Sequence, residues 1–197
     1  AGATVIEVKL RDMGVDSFEV SDNGAGISPS NYEGLALKHH TSKLATFSDL
    51  SRVSSFGFRG EALNALCELS GSLSIVTKQQ GEELGTALSF GPTGKLEEQS
   101  VSPRMVGTTV VVTELFSKLP VRRNEFKRGA KKHFQKLVRI LQGYALIATG
   151  VRLVVTNSQT LGAGGKAKGS TVLATTGGKD IKDNISSVFG AKFANSL

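Results

Sequence analysis

Asp22-Asn23-Gly24-Ala25-Gly26 ends an alternating stretch with a carboxylate and two closely spaced glycines. A carboxylate held at a strand end can accept a hydrogen bond from an exocyclic amine, and glycines let the backbone approach a flat ligand face. Asp-Asn-Gly is also an ordinary turn. Thr41-Ser42-Lys43 offers two hydroxyls and an ammonium suited to phosphate oxygens, although such a tripeptide also serves as a surface loop or helix cap. Gly57-Phe58-Arg59-Gly60-Glu61-Ala62-Leu63 places two glycines just ahead of a helix-like pattern, so unpaired amides and the positive end of the helix dipole face the loop. That is an anion site by construction. No Gly-Lys-Ser/Thr follows the glycines and no dinucleotide-fold spacing occurs, which excludes a Walker loop and a Rossmann fingerprint. Arg59 can pair with phosphate or serve as an ordinary surface arginine. Thr108, in Gly107-Thr108-Thr109-Val110, can hydrogen-bond toward Asp22 or a base-bound water, or simply begin a β-branched strand.

Other chemistry is sparse. Cys67 is the only cysteine, which rules out an intrachain disulfide and paired-cysteine metal sites; its place among apolar residues suits a buried structural thiol. His39, His40 and His133 lack the partners a metal needs, so no metal site is assigned. No apolar run reaches the roughly 18–20 residues of a membrane span, and no membrane association is expected.

Apolar periodicity predicts the elements that position these groups. Strands are expected at Val5–Leu10 and Ser17–Ser21 around a turn at Met13-Gly14, and at Leu73–Lys78, Ala87–Phe90, Thr108–Thr113 and Val151–Thr156. Helices are expected from Ser28 or Ser30 to Leu37, over Glu61–Leu69, from Asn124 to Ala148 and near Ile181–Phe189. A loop fills 158–170, and a domain boundary is expected near 149–150, with 150–197 the start of a second unit. Charge divides unevenly. Residues 1–100 carry 8 Lys/Arg against 13 Asp/Glu, and residues 101–197 carry 16 against 4, so the halves are −5 and +12 and sum to +7. The basic half suggests a polyanion partner through Arg122, Arg123, Lys127, Arg128, Lys131 and Lys132, with Lys136 and Arg139 beyond, unless these are only solvated surface charges.

Taken in order, the motifs resemble the GHKL class of ATPases and, within it, the MutL/PMS family of DNA mismatch-repair proteins. The resemblance covers most of residues 1–157 and includes Ala1-Gly2-Ala3-Thr4, Lys38-His39-His40-Thr41-Ser42-Lys43 and Leu119-Pro120-Val121-Arg122-Arg123; the histidine pair is similar to the eukaryotic PMS branch. It implies an α+β fold: a GHKL-type α/β sandwich over 1–149, with a mixed, largely antiparallel sheet covered by helices, then the start of a ribosomal S5-like second domain. It implies ATP and magnesium as cofactors, with Asp22 on adenine, Thr108 supporting that end, and Gly24 and Gly26 lining the base pocket. Thr41, Ser42, Lys43 and Gly57–Leu63 form the phosphate lid, with the amides of Glu61, Ala62 and Leu63 on the terminal phosphate. Duplex DNA, a MutL-homologue partner in a heterodimer, a MutS-type mismatch-recognition complex and a nuclear location are further implications. The family's general-base Glu and magnesium-binding Asn precede its Asp-Ala-Gly-Ala-Thr segment, at whose Ala this chain begins, so no catalytic residue is expected in 1–197, and weak hydrolysis is. The rival from another class is a nucleotide-independent DNA-binding or scaffold fragment using the basic 122–139 segment.

Overall fold

The computed structural model describes residues 2–40, 60–159 and 168–196. One eight-stranded sheet runs in the order β5-β4-β3-β6-β2-β1-β7-β8, with β1 Val5–Arg11, β2 Ser17–Asp22, β3 Ser72–Lys78, β4 Gly85–Phe90, β5 Leu96–Ser102, β6 Gly107–Thr113, β7 Arg152–Gln159 and β8 Lys168–Ala174. Every pairing is antiparallel except that of β1 with β7. Helices α1 (Ala62–Leu69), α2 (Pro120–Arg128), α3 (Ala130–Ile147), α4 (Ile181–Phe189) and α5 (Ala191–Ala194) complete the described α+β architecture.

The register lays out the face against which helices pack. One row crosses the sheet as Phe90, Leu73, Val112, Phe18 and Leu10, and the next as Leu88, Ile75, Val110, Val20, Val8 and Val155. The third row changes character, reading Thr86, Thr77, Thr108, Asp22, Ile6 and Leu153. The apolar rows feed two clusters. Leu73, Ile75, Leu88 and Val112 pack with Tyr32, Ala36 and Cys67, while Val8, Leu10, Leu153, Val155 and Leu173 pack with Ala145. Phe18 borders both clusters. Val20, between them, is 37% exposed, whereas Val8 beside it is 8% exposed. Among the described residues, the cover is therefore open over the middle of the sheet, next to Asp22.

Two expected helices are corrected, and the sheet holds two further features. The segment after Ser28 is no α-helix: a 3-10 turn at Pro29–Asn31 leads into bonds spanning three residues, Leu35 N–H to the Tyr32 carbonyl, Leu37 to Gly34 and His40 to Leu37. Tyr32 (3% exposed) and Ala36 (1%) both face the core, and Gly34 weakens any α-helical alternative. The helix expected over 124–148 begins earlier, on Pro120 at its first turn, and breaks at Gly129 (φ −89°, ψ 4°) into α2 and α3. Strand β5 was not anticipated, because Leu-Glu-Glu-Gln-Ser-Val-Ser is an exposed, polar edge strand with no apolar alternation to read. The boundary expected near 149–150 does not interrupt the sheet. β7 hydrogen-bonds along β1, β8 follows it, and Leu153, Val155 and Leu173 share a cluster with Val8 and Leu10. Without β7, β1 would present an unpaired edge beside an uncovered apolar row.

Candidate nucleotide site

Asp22 is the last residue of β2 and stands in the hydroxyl row beside Thr108. Its Oδ1 accepts a hydrogen bond from the Gly24 amide at 2.7 Å, which fixes one carboxylate oxygen inside the loop. Asn23 anchors the loop in the other direction. Its Oδ1 accepts from the Thr4 and Val5 amides at 2.8 and 2.9 Å, and its Nδ2 donates to Thr4 Oγ1 at 2.9 Å, so the start of β1 is tied to the end of β2. Gly26 is in the left-handed region (φ +75°), and a Cβ there would collide with the Lys78 carbonyl. Gly107 (φ +130°) lies equally close to the carbonyl of Asp22. The glycines thus allow three backbone segments to converge on the strand end. An open concavity lined by Gly2, Asn23, Gly24, Ala25, Gln79, Gln80 and Val106 borders the same loop.

Behind Asp22, on the opposite face, Arg104 Nη2 donates to Thr109 Oγ1 at 2.8 Å, the Asp22 carbonyl at 3.2 Å and Ser21 Oγ at 3.3 Å. Partial burial lowers the guanidinium pKa, and the charges of Asp22 and Glu19 pull it back up. Sequence reasoning missed Arg104 because two of its three partners, Ser21 and Asp22, lie about 80 positions away.

The phosphate side is described from Gly60 onward; Thr41, Ser42, Lys43, Gly57, Phe58 and Arg59 lie outside the described residues. Gly60 is left-handed (φ +64°) and its backbone abuts that of His40. Glu61 precedes α1, makes no capping bond with its side chain, and points Oε1 toward His39 Nδ1 at 3.6 Å. Ala62 and Leu63 form the first turn. Asn64, 2% exposed, fixes that turn by donating Nδ2 to the carbonyls of Ala36 and Thr93, both at 2.9 Å. Only a buried Asn whose partners come from two other segments does this, and its spacing in a helix reads simply as core.

This geometry fits a nucleotide: a carboxylate with one oxygen fixed at the open middle of the sheet, backbones brought close by glycine, and a helix start with no side-chain cap. Among the described residues, no cluster of three or more His, Cys, Asp or Glu side chains could hold a metal, and no helix is long and apolar enough to cross a membrane.

The basic residues do not form one equivalent set. Arg122, Lys127 and Arg128 on α2 and Lys131 and Lys132 on α3 are exposed. Arg123 instead bonds Glu114 Oε1 at 2.7 Å with its side chain only 19% exposed. Arg123→Ala is therefore expected to lower stability by about 0.5–1 kcal/mol, the range of a partly exposed ion pair, and Arg122→Ala to change it less. Thermal unfolding of the two variants checks this; a larger loss at position 122 would contradict it.

No protein-family model matches the chain. Over all 197 residues it is 51% identical to DNA mismatch repair protein PMS1 of Arabidopsis thaliana and 49% identical to mismatch repair endonuclease PMS2 of Homo sapiens. Both matches cover 100% of this chain, and 21% and 22% of those proteins, so it spans about a fifth of the length of the curated relatives it matches. Among solved structures, the N-terminal domain of a DNA repair protein superposes with TM-score 0.81 at 40% identity, covering 96% of this chain and 52% of that one. The Aquifex aeolicus MutL ATPase domain complexed with ADP, at 22% identity and TM-score 0.64 over 95% of this chain and 61% of that one, has the same fold. About half of all positions thus agree with PMS proteins of a plant and an animal without a gap in coverage, on the sheet that the MutL ATPase domain uses, and the chain belongs to the MutL/PMS family of DNA mismatch-repair proteins.

Proposed function

We propose that this segment is the ATP-binding module of a MutL-type mismatch-repair protein, acting as a nucleotide-driven clamp on DNA. The observation that carries the reading is the Asp22 carboxylate, held through one oxygen at the end of an apolar sheet face whose cover opens beside it. ATP would lie over that opening, with its exocyclic amine on Asp22, Thr108 supporting the base, and Gly24 and Gly26 admitting it to the backbone. Its phosphates would reach the uncapped start of α1, where the Glu61, Ala62 and Leu63 amides follow Gly60, and the segments holding Thr41, Ser42, Lys43, Gly57, Phe58 and Arg59. Magnesium bound with the nucleotide offsets phosphate charge. The described residues bind and orient, and none is assigned to activate water.

Binding at both ends of the cleft couples the Asp22 loop to α1. Nucleotide then orders the lid, the ordered lid favours pairing with a MutL-homologue subunit, and the pair closes on duplex DNA under the direction of a MutS-type complex in the nucleus. The MutL domain with ADP and the mismatch-repair names of the relatives support this reading.

Asp22→Asn tests it. Losing a charged acceptor costs about 1–3 kcal/mol, so ATP affinity of the full-length protein should fall roughly 5- to 150-fold with little change in thermal stability. Unchanged affinity would remove residue 22 from the site.

A further inference from the structure

Thr77, next to the last residue of β3, is fully buried (0% exposed) and belongs to none of the loop motifs. Its Oγ1 accepts from the Ile27 amide at 2.9 Å and lies 3.2 Å from both the Gly107 carbonyl and Thr108 Oγ1. A hydroxyl has one proton and two lone pairs, so these three contacts use all its capacity if Thr108 donates to it, or leave it choosing between two acceptors if Thr108 does not. The Ile27 amide follows Gly26 directly, and Thr108 pairs with Asp22 in the register. One buried oxygen therefore ties the far end of the Asp22–Ile27 loop to the threonine beside the carboxylate.

We propose that Thr77 is a positioning residue for purine recognition, holding the loop through the Ile27 amide and setting the direction in which the Thr108 hydroxyl offers its proton. When Thr77 donates to the Gly107 carbonyl, Thr108 keeps its lone pairs for the ligand side and gives its proton to Thr77. When Thr77 donates to Thr108, the Thr108 proton turns outward. An adenine edge places a donor amine beside an acceptor ring nitrogen, so the state of Thr108 is felt at the base and hardly at the phosphates. The role rests on the nucleotide reading above, and the experiment separates the two.

Binding of ATP and of purine riboside triphosphate, which lacks the 6-amine, is measured in the full-length protein as wild type, Thr77→Val, Thr77→Ser and Asp22→Asn. Val keeps the shape and removes the hydroxyl; Ser restores the hydroxyl. Thr77→Val is expected to weaken ATP about tenfold and the amine-free nucleotide about threefold or less, with Thr77→Ser within about threefold of wild type for both. The ratio between nucleotides does not depend on how much of a sample is folded. Should Val prevent folding, Thr77→Cys carries the same comparison. Wild-type affinity in Thr77→Val, equal losses for both nucleotides, or a Ser variant as weak as Val would overturn the role of Thr77 while leaving the site intact. A wild-type protein that binds no ATP would overturn both.

Discussion

Gly26→Ala is expected to destabilise this domain by about 2–5 kcal/mol and to weaken ATP binding at least tenfold. Two costs combine. A left-handed backbone (φ +75°) costs an L-residue about 1–2 kcal/mol, and a methyl driven into the Lys78 carbonyl forces a backbone shift of the kind that costs about 1–3 kcal/mol. The Lys78 carbonyl belongs to β3, so the collision cannot be relieved by a side-chain rotation. Any shift pulls Ile27 from Thr77 and disturbs the loop that begins at Asp22. Thermal unfolding and nucleotide titration read the two consequences separately. A variant with unchanged stability and unchanged affinity would show that the loop does not need its close approach to β3.

The second large effect concerns DNA. Changing Arg122, Lys127 and Arg128 together to Glu should lower duplex affinity by about a hundredfold or more at roughly 0.1 M salt and reduce the slope of log affinity against log salt by about 3, since each lost phosphate contact removes roughly one unit of counterion release. ATP affinity should be untouched, because these side chains are exposed on α2, which follows the Thr113 end of β6, whereas Asp22 pairs with Thr108 near the other end of that strand. Arg123 is left out of the set because its Glu114 ion pair would confuse folding with binding. Repeating the titration with and without a non-hydrolysable ATP analogue separates a clamp from a passive basic surface: the clamp predicts that nucleotide raises DNA affinity in the wild type, and insensitivity to nucleotide would favour a scaffold fragment.

Much of this arrangement is legible from local pattern. Alternation in Val5–Leu10 and Ser17–Ser21 marks β1 and β2, and the glycines and carboxylate of 22–26 mark the loop that follows, because each signal lies within a few residues of its consequence. What escapes local pattern is set across the sheet. The hydroxyl row of Thr77, Thr108 and Asp22 exists only once three strands are in register. Arg104 and Asn64 look like a loop arginine and a helix-interior polar residue until their carbonyl partners arrive from distant segments. β5 hides for a different reason. An edge strand exposed along most of its length has no buried face to impose a period of two. Continuity of the sheet past residue 150 is likewise non-local, since the parallel pairing of β7 joins residues about 147 apart in sequence.

The central claim is a location: ATP spans from the carboxylate of Asp22 to the first amides of α1. A crystal structure of the full-length protein with magnesium and a non-hydrolysable ATP analogue measures it directly. The account predicts the adenine amine within hydrogen-bond distance of the Asp22 carboxylate and the terminal phosphate at the backbone following Gly60. A base lodged elsewhere on the sheet, or a cleft over Val20 filled by protein side chains, would contradict it.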